Sequence, residues 1–188
     1  MRKWTTHSDA EIITAGSSGN RAALEELSKR YYRQAYSMAL LNMRQPDIAM
    51  DIAQEAFIRI LRNIDRFDVS RSFSAWLYVI VRNLCNNYRE RKQKRYTAFS
   101  DMADSNVLES RLLSNDDSIE RRERKQLLWN AIHRLSEKER EIVVLKDIEG
   151  FSYRELAECL QIPEGTVMSR LYNARRKLAA ELNPEDMR

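Results

Sequence analysis

The sequence predicts an all-α protein built as two small helical domains, and three observations carry that expectation. Glycine and proline number only four and three in 188 residues, too few to punctuate a sheet protein. Between Pro46 and Gly150 lie 103 residues with neither breaker. Apolar positions recur at steps of three and four over long stretches, as one buried helix face requires.

Composition narrows the function. Apolar residues make up 43% of the chain and charged residues 32%, enough for a core beneath a heavily solvated surface. No stretch approaches the ~18–20 apolar residues of a membrane span. The N-terminus runs Met1-Arg2-Lys3-Trp4-Thr5-Thr6-His7 without the apolar core of a secretory signal, so a cytoplasmic protein is expected. Two cysteines, Cys85 and Cys159, and two histidines, His7 and His133, cannot form a Cys-rich metal cluster or a disulfide scaffold. Both cysteines lie among apolar helix-pattern residues and are expected as buried thiols. No cofactor or metal is implied. Neither a nucleophile with its base nor a carboxylate cluster stands out, so no enzyme is expected.

Charge divides the chain. Residues 1–96 carry 17 basic and 10 acidic side chains, a net +7. Residues 97–120 hold one basic and six acidic residues, a net −5. Residues 121–188 return to +2, with 14 basic and 12 acidic. The middle block, rich in Ser, Asp and Asn, reads as an acidic linker between domains 1–96 and 121–188. A loosely packed helix around Val107–Leu113 is its alternative.

Taken in order, Ser8-x-x-Glu11 forms a capping box ahead of Ile12 and Ile13. After a turn at Gly16–Gly19, Asn20 caps a helix with Leu24, Leu27, Tyr31, Ala35, Met38 and Leu41 on its apolar side. Pro46 closes a bend before a helix over Asp47–Phe67. There Ile48, Ile52, Ala56, Ile60 and Ile64 step by four, with Ala49, Phe57 and Leu61 beside them. A polar break, Asp68–Ser72, precedes a helix whose buried stripe is read as Phe73, Trp76, Leu77, Ile80, Leu84 and Tyr88. That helix ends in the basic run Arg89, Arg91, Lys92, Lys94 and Arg95. Beyond the linker, Leu127, Leu128, Ala131, Ile132 and Leu135 mark another helix. A second capping box, Ser136-x-x-Glu139, opens one that stops near Gly150.

The sharpest pattern is Ser152–Leu178. Ser152-x-x-Glu155 starts a short helix, Tyr153–Leu160, with Leu156, Ala157 and Leu160 inward. After a break at Gln161–Gly165, Val167, Leu171, Ala174 and Leu178 step by four, three and four. This is a helix-turn-helix pattern, whose second helix enters the major groove. Its outward residues are Gly165, Thr166, Met168, Ser169, Tyr172, Asn173 and Arg176, side chains suited to base edges and phosphates. Arg170, Arg175 and Lys177 lie on the flanks and suit phosphate contacts.

Over roughly residues 8–182 the chain resembles a bacterial RNA polymerase sigma factor of the extracytoplasmic-function (ECF) type. Leu135-Ser-Glu-Lys-Glu-Arg-Glu-Ile-Val-Val-Leu145, Gly150-Phe-Ser-Tyr-Arg-Glu-Leu-Ala157 and Gly165-Thr-Val-Met-Ser-Arg-Leu171 look like sigma region 4. Asp51-Ile-Ala-Gln-Glu-Ala-Phe57 looks like region 2.2, and Ser72–Leu84 like regions 2.3 and 2.4. The resemblance implies a protein that binds core RNA polymerase and directs it to promoter DNA, recognising the −35 and −10 elements and assisting melting. Its partners would be the β′ clamp coiled coil, the β flap, promoter DNA and an anti-sigma factor, with no membrane insertion.

The same resemblance assigns residues. Asp51, Gln54, Glu55, Phe57 and Arg62 would bind core polymerase. Arg71, Asn83, Asn86, Asn87, Arg89, Arg91 and Lys92 would meet the −10 DNA, where a flipped base sits in a loop pocket. Ser152, Thr166, Met168, Ser169, Arg170, Tyr172, Asn173 and Arg176 would meet the −35 element. Met168 and Asn173 depart from the family, which often has basic residues there. The spacing of Trp76 and Tyr88 favours core over base stacking. The 24-residue linker spans at most ~80 Å, against ~70 Å for two helical turns of spacer DNA. A dimeric helix-turn-helix regulator would account for Ser152–Leu178 but leave the two N-terminal blocks unexplained.

Overall fold

Local signals start and stop each helix in the computed structural model, which describes residues 4–96 and 119–182. These residues form two units, and among them are eight α-helices and no strand. The stretch assigned as an acidic linker lies, up to residue 118, outside the described residues.

In the first unit, α1 (Asp9–Ser17) opens with the expected capping box. The Ser8 amide donates to Glu11 Oε2 at 2.8 Å, and the Glu11 amide donates to Ser8 Oγ at 3.4 Å. Gly16 lies inside α1 rather than in the turn. A Cβ there would sit 2.5 Å from Leu24 Cδ2, so its absence lets α1 approach the next helix. Of Gly16 and Gly19, Gly19 is the one with a left-handed backbone, at φ +88°.

α2 (Arg21–Met43) is capped by Asn20, whose side chain accepts from the Ala23 amide at 3.2 Å. α3 (Pro46–Asn63) begins with proline in its first turn, where a missing N–H leaves no bond unmade. It is shorter than the expected Asp47–Phe67, because the chain tightens into a 3-10 turn at Ile64–Arg66. α4 (Phe73–Tyr96) completes the unit.

α4 packs against both α2 and α3, which shapes its buried face. A helix covered on two sides needs a wide apolar arc, and here it comprises Phe73, Ala75, Leu77, Tyr78, Val81, Leu84 and Cys85. The expected stripe is thereby rotated: Trp76, Ile80 and Tyr88 are only half-buried, and Tyr78 is fully enclosed. Leu27, Ala35 and Met38 of α2 and Ile52, Ala56 and Ile60 of α3 are buried in the same unit. Leu61, expected beside that stripe, points out at 37% exposure.

An ionic cluster ties α1 to α2. Asp9 accepts from Arg30 Nη1 at 3.0 Å and from the Tyr31 hydroxyl. Arg30 also reaches Glu26 at 3.2 Å and the carbonyls of Trp4 and Thr5 at 2.9 and 3.1 Å. Burial, reinforced by the bond to Asp9, pushes the Tyr31 phenol well above its ordinary range.

The second unit holds α5 (Ile119–Arg134), α6 (Glu137–Val143), α7 (Tyr153–Leu160) and α8 (Glu164–Glu181). α5 begins two residues before the expected domain start at 121. Leu128 is exposed at 36%, while Ala131, Ile132 and Leu135 are buried as expected. In α7 the buried pair is Leu156 and Cys159, while Ala157 and Leu160 are half-buried. α6 runs on as a π-helical turn, Val144–Ile148, ahead of Gly150 at φ +77°. Ile142, Val143, Val144 and Leu145 are all buried in succession. The wider winding turns Lys146, Asp147 and Ile148 away from that core.

Arg140 is 8% exposed, and its guanidinium closes the end of α5. It donates to the carbonyls of Ile132, His133 and Leu135 at 3.3, 3.2 and 2.9 Å. These carbonyls lie at the end of α5 and just beyond it, where the helix ladder runs out. Of the three, the Ile132 carbonyl also accepts from the Leu135 amide at 3.2 Å. Arg140→Met should therefore destabilise the second unit by about 2–4 kcal/mol through stranded carbonyls. Urea unfolding followed by far-UV circular dichroism reads this, and an unchanged midpoint would refute it.

Cys85 and Cys159 are buried free thiols, as expected. Burial pushes the Cys85 thiol up to about 12, partly offset by Arg89. An unfolded thiol ionises near its ordinary 9.0, so stability from the neutral folded thiol declines as pH rises from there through 12. Thiol titration at pH 8 should find Cys85 unreactive until denaturant is added.

Candidate nucleic-acid interface

The helix-turn-helix forms because polar caps and one buried stripe agree about where each helix lies. Ser152 starts α7: its amide donates to Glu155 Oε2 at 2.7 Å, and Glu155 N donates to Ser152 Oγ at 3.2 Å. α7 ends at Gln161, in the left-handed region at φ 55°. There the Ile162 amide donates to the Ala157 carbonyl at 3.1 Å. Pro163 precedes α8, and its carbonyl accepts from Thr166 and Val167 at 2.9 and 3.1 Å.

α8 buries Val167, Leu171 and Ala174. Its opposite face exposes Gly165, Met168, Ser169, Tyr172, Asn173 and Arg176, with Met168 at 50% and Tyr172 at 67%. Thr166 is half-buried, at the edge of that face. Ser152 and Arg170 are exposed. The flanking cations differ from expectation, because Arg175 is paired to Asp147 through two nitrogens and Lys177 lies 2.5 Å from Glu139.

In the first unit, α3 exposes Asp51, Gln54 and Arg62, with Glu55 half-buried in an ion pair to Arg59 at 2.8 Å. Phe57 does not belong with them. It is 6% exposed and its ring lies 6.0 Å from that of Tyr32, so it serves the core. The sequence reading missed Met50 and Ile58, which with Leu61 lie exposed on the outer side of α3 about Gln54. Their signal was apolar residues at positions where a solvated helix needs none.

α4 brings Asn83, Asn86 and Asn87 together on its exposed face, along with Glu90. Its basic run divides. Arg89 is half-buried and donates to the Asn42 carbonyl at 2.6 Å, at the end of α2. Lys92 lines the same cleft, of about 340 Å³. Arg91 falls on the other side, in a cleft of about 360 Å³ between α3 and α4 lined also by Asp51, Glu55, Arg59, Asn87 and Tyr88. A helix spreads successive residues around its circumference, which a contiguous basic run conceals.

The loop before α4 is preformed. Asp68 Oδ1 accepts from the Ser70 amide at 2.9 Å, and the Asp68 carbonyl accepts from Arg71 N at 3.0 Å. Bonds from the Ser70 side chain and then its amide hold the Asp68 carboxyl below its ordinary value. Arg71 is exposed. Beneath the loop, Phe67 and Trp76 approach to 4.7 Å between ring centres, and Phe73 and Trp76 to 5.8 Å. Among the described residues no His, Cys, Asp and Glu group could hold a metal ion.

Comparison with known proteins agrees with this arrangement. Residues 27–95 match the family description "Sigma-70 region 2", and residues 125–178 match "Sigma-70, region 4". The ECF RNA polymerase sigma factor SigW of Bacillus subtilis is 33% identical over 170 residues, covering 87% of this chain and 91% of SigW. The chain belongs to the ECF sigma factors.

As a member of that family it is not an enzyme. Two solved structures share the fold of this sigma factor. CnrH, in complex with the cytosolic domain of CnrY, has a TM-score of 0.67 and 26% identity, covering 93% of this chain and 97% of CnrH. RpoE of Bartonella quintana, in complex with the anti-sigma factor NepR, has a TM-score of 0.70 and 22% identity, covering 85% and 96%. The region 2 match spans α3 and α4, and the region 4 match spans the helix-turn-helix. No described helix is long and apolar enough to cross a membrane.

Acid should loosen region 4 through Glu139. Its bonds to Lys177, then to Ser136, lower its carboxyl from the ordinary 4.5. The stabilisation is complete above pH 4.5 and is lost as pH falls through the lower folded value. Glu139→Gln should flatten the fall in urea midpoint between pH 5 and pH 3. An equally steep fall in the variant would remove Glu139 as its source.

Proposed function

We propose that this sigma factor docks on the β′ clamp coiled coil of core RNA polymerase through α3, reads and helps melt the −10 element with α4 and its preceding loop, and reads the −35 element with α8. Asp51, Gln54 and Arg62 supply the polar contacts of the docking face, and Met50, Ile58 and Leu61 its apolar ones. A helix with exposed apolar residues among charges suits a helical partner. Region 4 has the β flap as its second polymerase contact. An anti-sigma factor that covers these faces keeps the protein inactive in the cytoplasm.

On α4, Asn83, Asn86 and Asn87 contact the non-template strand, Arg91 and Lys92 add phosphate attraction, and Arg71 approaches the flipped base from the loop. On α8, Ser169, Tyr172 and Asn173 meet base edges, flanked by Thr166 and Met168, while Arg170, Arg176 and Ser152 grip phosphates. The observation that carries the reading is the exposed asparagine face of α4. It lies in a chain that also holds a helix-turn-helix, and a simple DNA-binding regulator has no use for it.

Run-off transcription by bacterial core polymerase on a library of randomised promoters tests the whole. Transcripts that depend on the protein are expected, with start sites that define both elements. Asp51→Ala with Gln54→Ala should reduce transcription at least tenfold by weakening core binding. Asn83→Ala with Asn87→Ala should retain core binding but slow promoter opening on permanganate footprints. If the protein alone bound a palindrome as a dimer and no transcript appeared, it would act as a regulator instead.

A further inference from the structure

Four cations border or occupy the outward half of α8, and the protein treats them in two ways. Arg175 is bound to Asp147, with Nε 3.0 Å from Oδ2 and Nη2 on Oδ1, a bidentate grip. Lys177 Nζ is 2.5 Å from Glu139 Oε1. Arg170 and Arg176 are exposed, and neither has an ion-pair partner among the described residues.

The two pairs reach α8 from opposite sides. Residues 175 and 177 are two positions apart, which puts them about 200° apart around a helix of 3.6 residues per turn. Their carboxylates come from separate places. Glu139 is the third residue of α6 and is held by its capping box, with Oε2 accepting from Ser136 Oγ at 2.6 Å. Asp147 stands on the π-helical turn that directs it away from the buried Val144 and Leu145. Lys146, its neighbour, fastens that turn by donating to the Phe151 carbonyl at 2.8 Å and lying 4.6 Å from the centre of the Tyr153 ring. The Glu139 carboxylate thus has a bond outside α8, and Asp147 stands on a turn fastened independently of α8.

We infer that Asp147 and Glu139 are positioning residues for the recognition helix: they occupy Arg175 and Lys177 as phosphate would, fixing the rotation of α8 about its axis and leaving the phosphate grip to Arg170 and Arg176. Rotation decides which of Ser169, Tyr172 and Asn173 faces a base edge. A cation taken by an internal carboxylate adds nothing to sequence-independent attraction. The arrangement therefore favours selectivity over general affinity for DNA. This rests on the proposed role of α8 at the −35 element.

The test is equilibrium binding of reconstituted holoenzyme to a promoter duplex and to one with a scrambled −35 element, each across a salt series. Arg170→Ala and Arg176→Ala should each flatten the plot of log K against log salt by about 1, the loss of one phosphate contact. Arg175→Ala should leave the slope unchanged. Asp147→Asn, which keeps the size of the side chain, should steepen it by about 1 and cut discrimination between the two duplexes at least threefold. Glu139→Gln retains a capping box and should act likewise through Lys177. If Arg175→Ala flattened the slope as Arg170→Ala does, or Asp147→Asn changed neither slope nor discrimination, the inference would fall and the −35 role of α8 would stand. If Arg170→Ala and Arg176→Ala were both silent, the −35 role itself would fall, and this inference with it.

Discussion

A helix of 3.6 residues per turn in a small protein can bury one stripe and must leave another to water or a partner. How that division falls on α3, α4 and α8 decides which of their side chains a partner can reach. On α8 the buried stripe is narrow: three residues, Val167, Leu171 and Ala174, are fully enclosed. More than half of the circumference remains outside the core, bordered by the two ion pairs. On α4 the arc is wide because two helices cover it, and the exposed remainder contracts to a face carrying Asn83, Asn86 and Asn87.

The units keep their helix ends satisfied by different devices. Capping boxes at Ser8, Ser136 and Ser152 place an acidic side chain in the first turn, where the helix dipole also favours it. At the end of α5 the same need is met by Arg140 from the following helix. A guanidinium suits that task because its fixed fork reaches three carbonyls at once, and no single neutral side chain offers as many donors. The result couples α5 to α6, and α6 carries Glu139, one of the two carboxylates on the flanks of α8. The packing of region 4 and the ion pairs on the flanks of α8 thus share a short stretch of sequence.

Region 2 shows a comparable economy with charge. Arg30 joins Glu26, Asp9 and the backbone at Trp4 and Thr5, so the segment before α2 is secured by one side chain. Arg89 likewise closes the end of α2 through the Asn42 carbonyl. Neither role follows from counting basic residues, since a net charge of +7 over residues 1–96 describes attraction at a distance and not where each cation rests.

Sequence alone determined the fold class, the helix starts and the family. Those signals are local or periodic: a serine three residues before a glutamate, apolar steps of three and four, and ordered blocks around Asp51, Trp76 and Gly165. Tertiary structure alone decided which residues within those helices are available. Phe57 sits within a motif yet is buried against Tyr32, while Leu61 and Ile58 look like core and face outward. Arg175 and Lys177 read as free cations until Asp147 and Glu139, 28 and 38 residues away in the chain, are brought beside them. The physical reason is the same in each case. Burial and ion pairing depend on which neighbours the fold delivers, and a π-helical turn or a helix covered on two sides changes those neighbours without changing the local pattern.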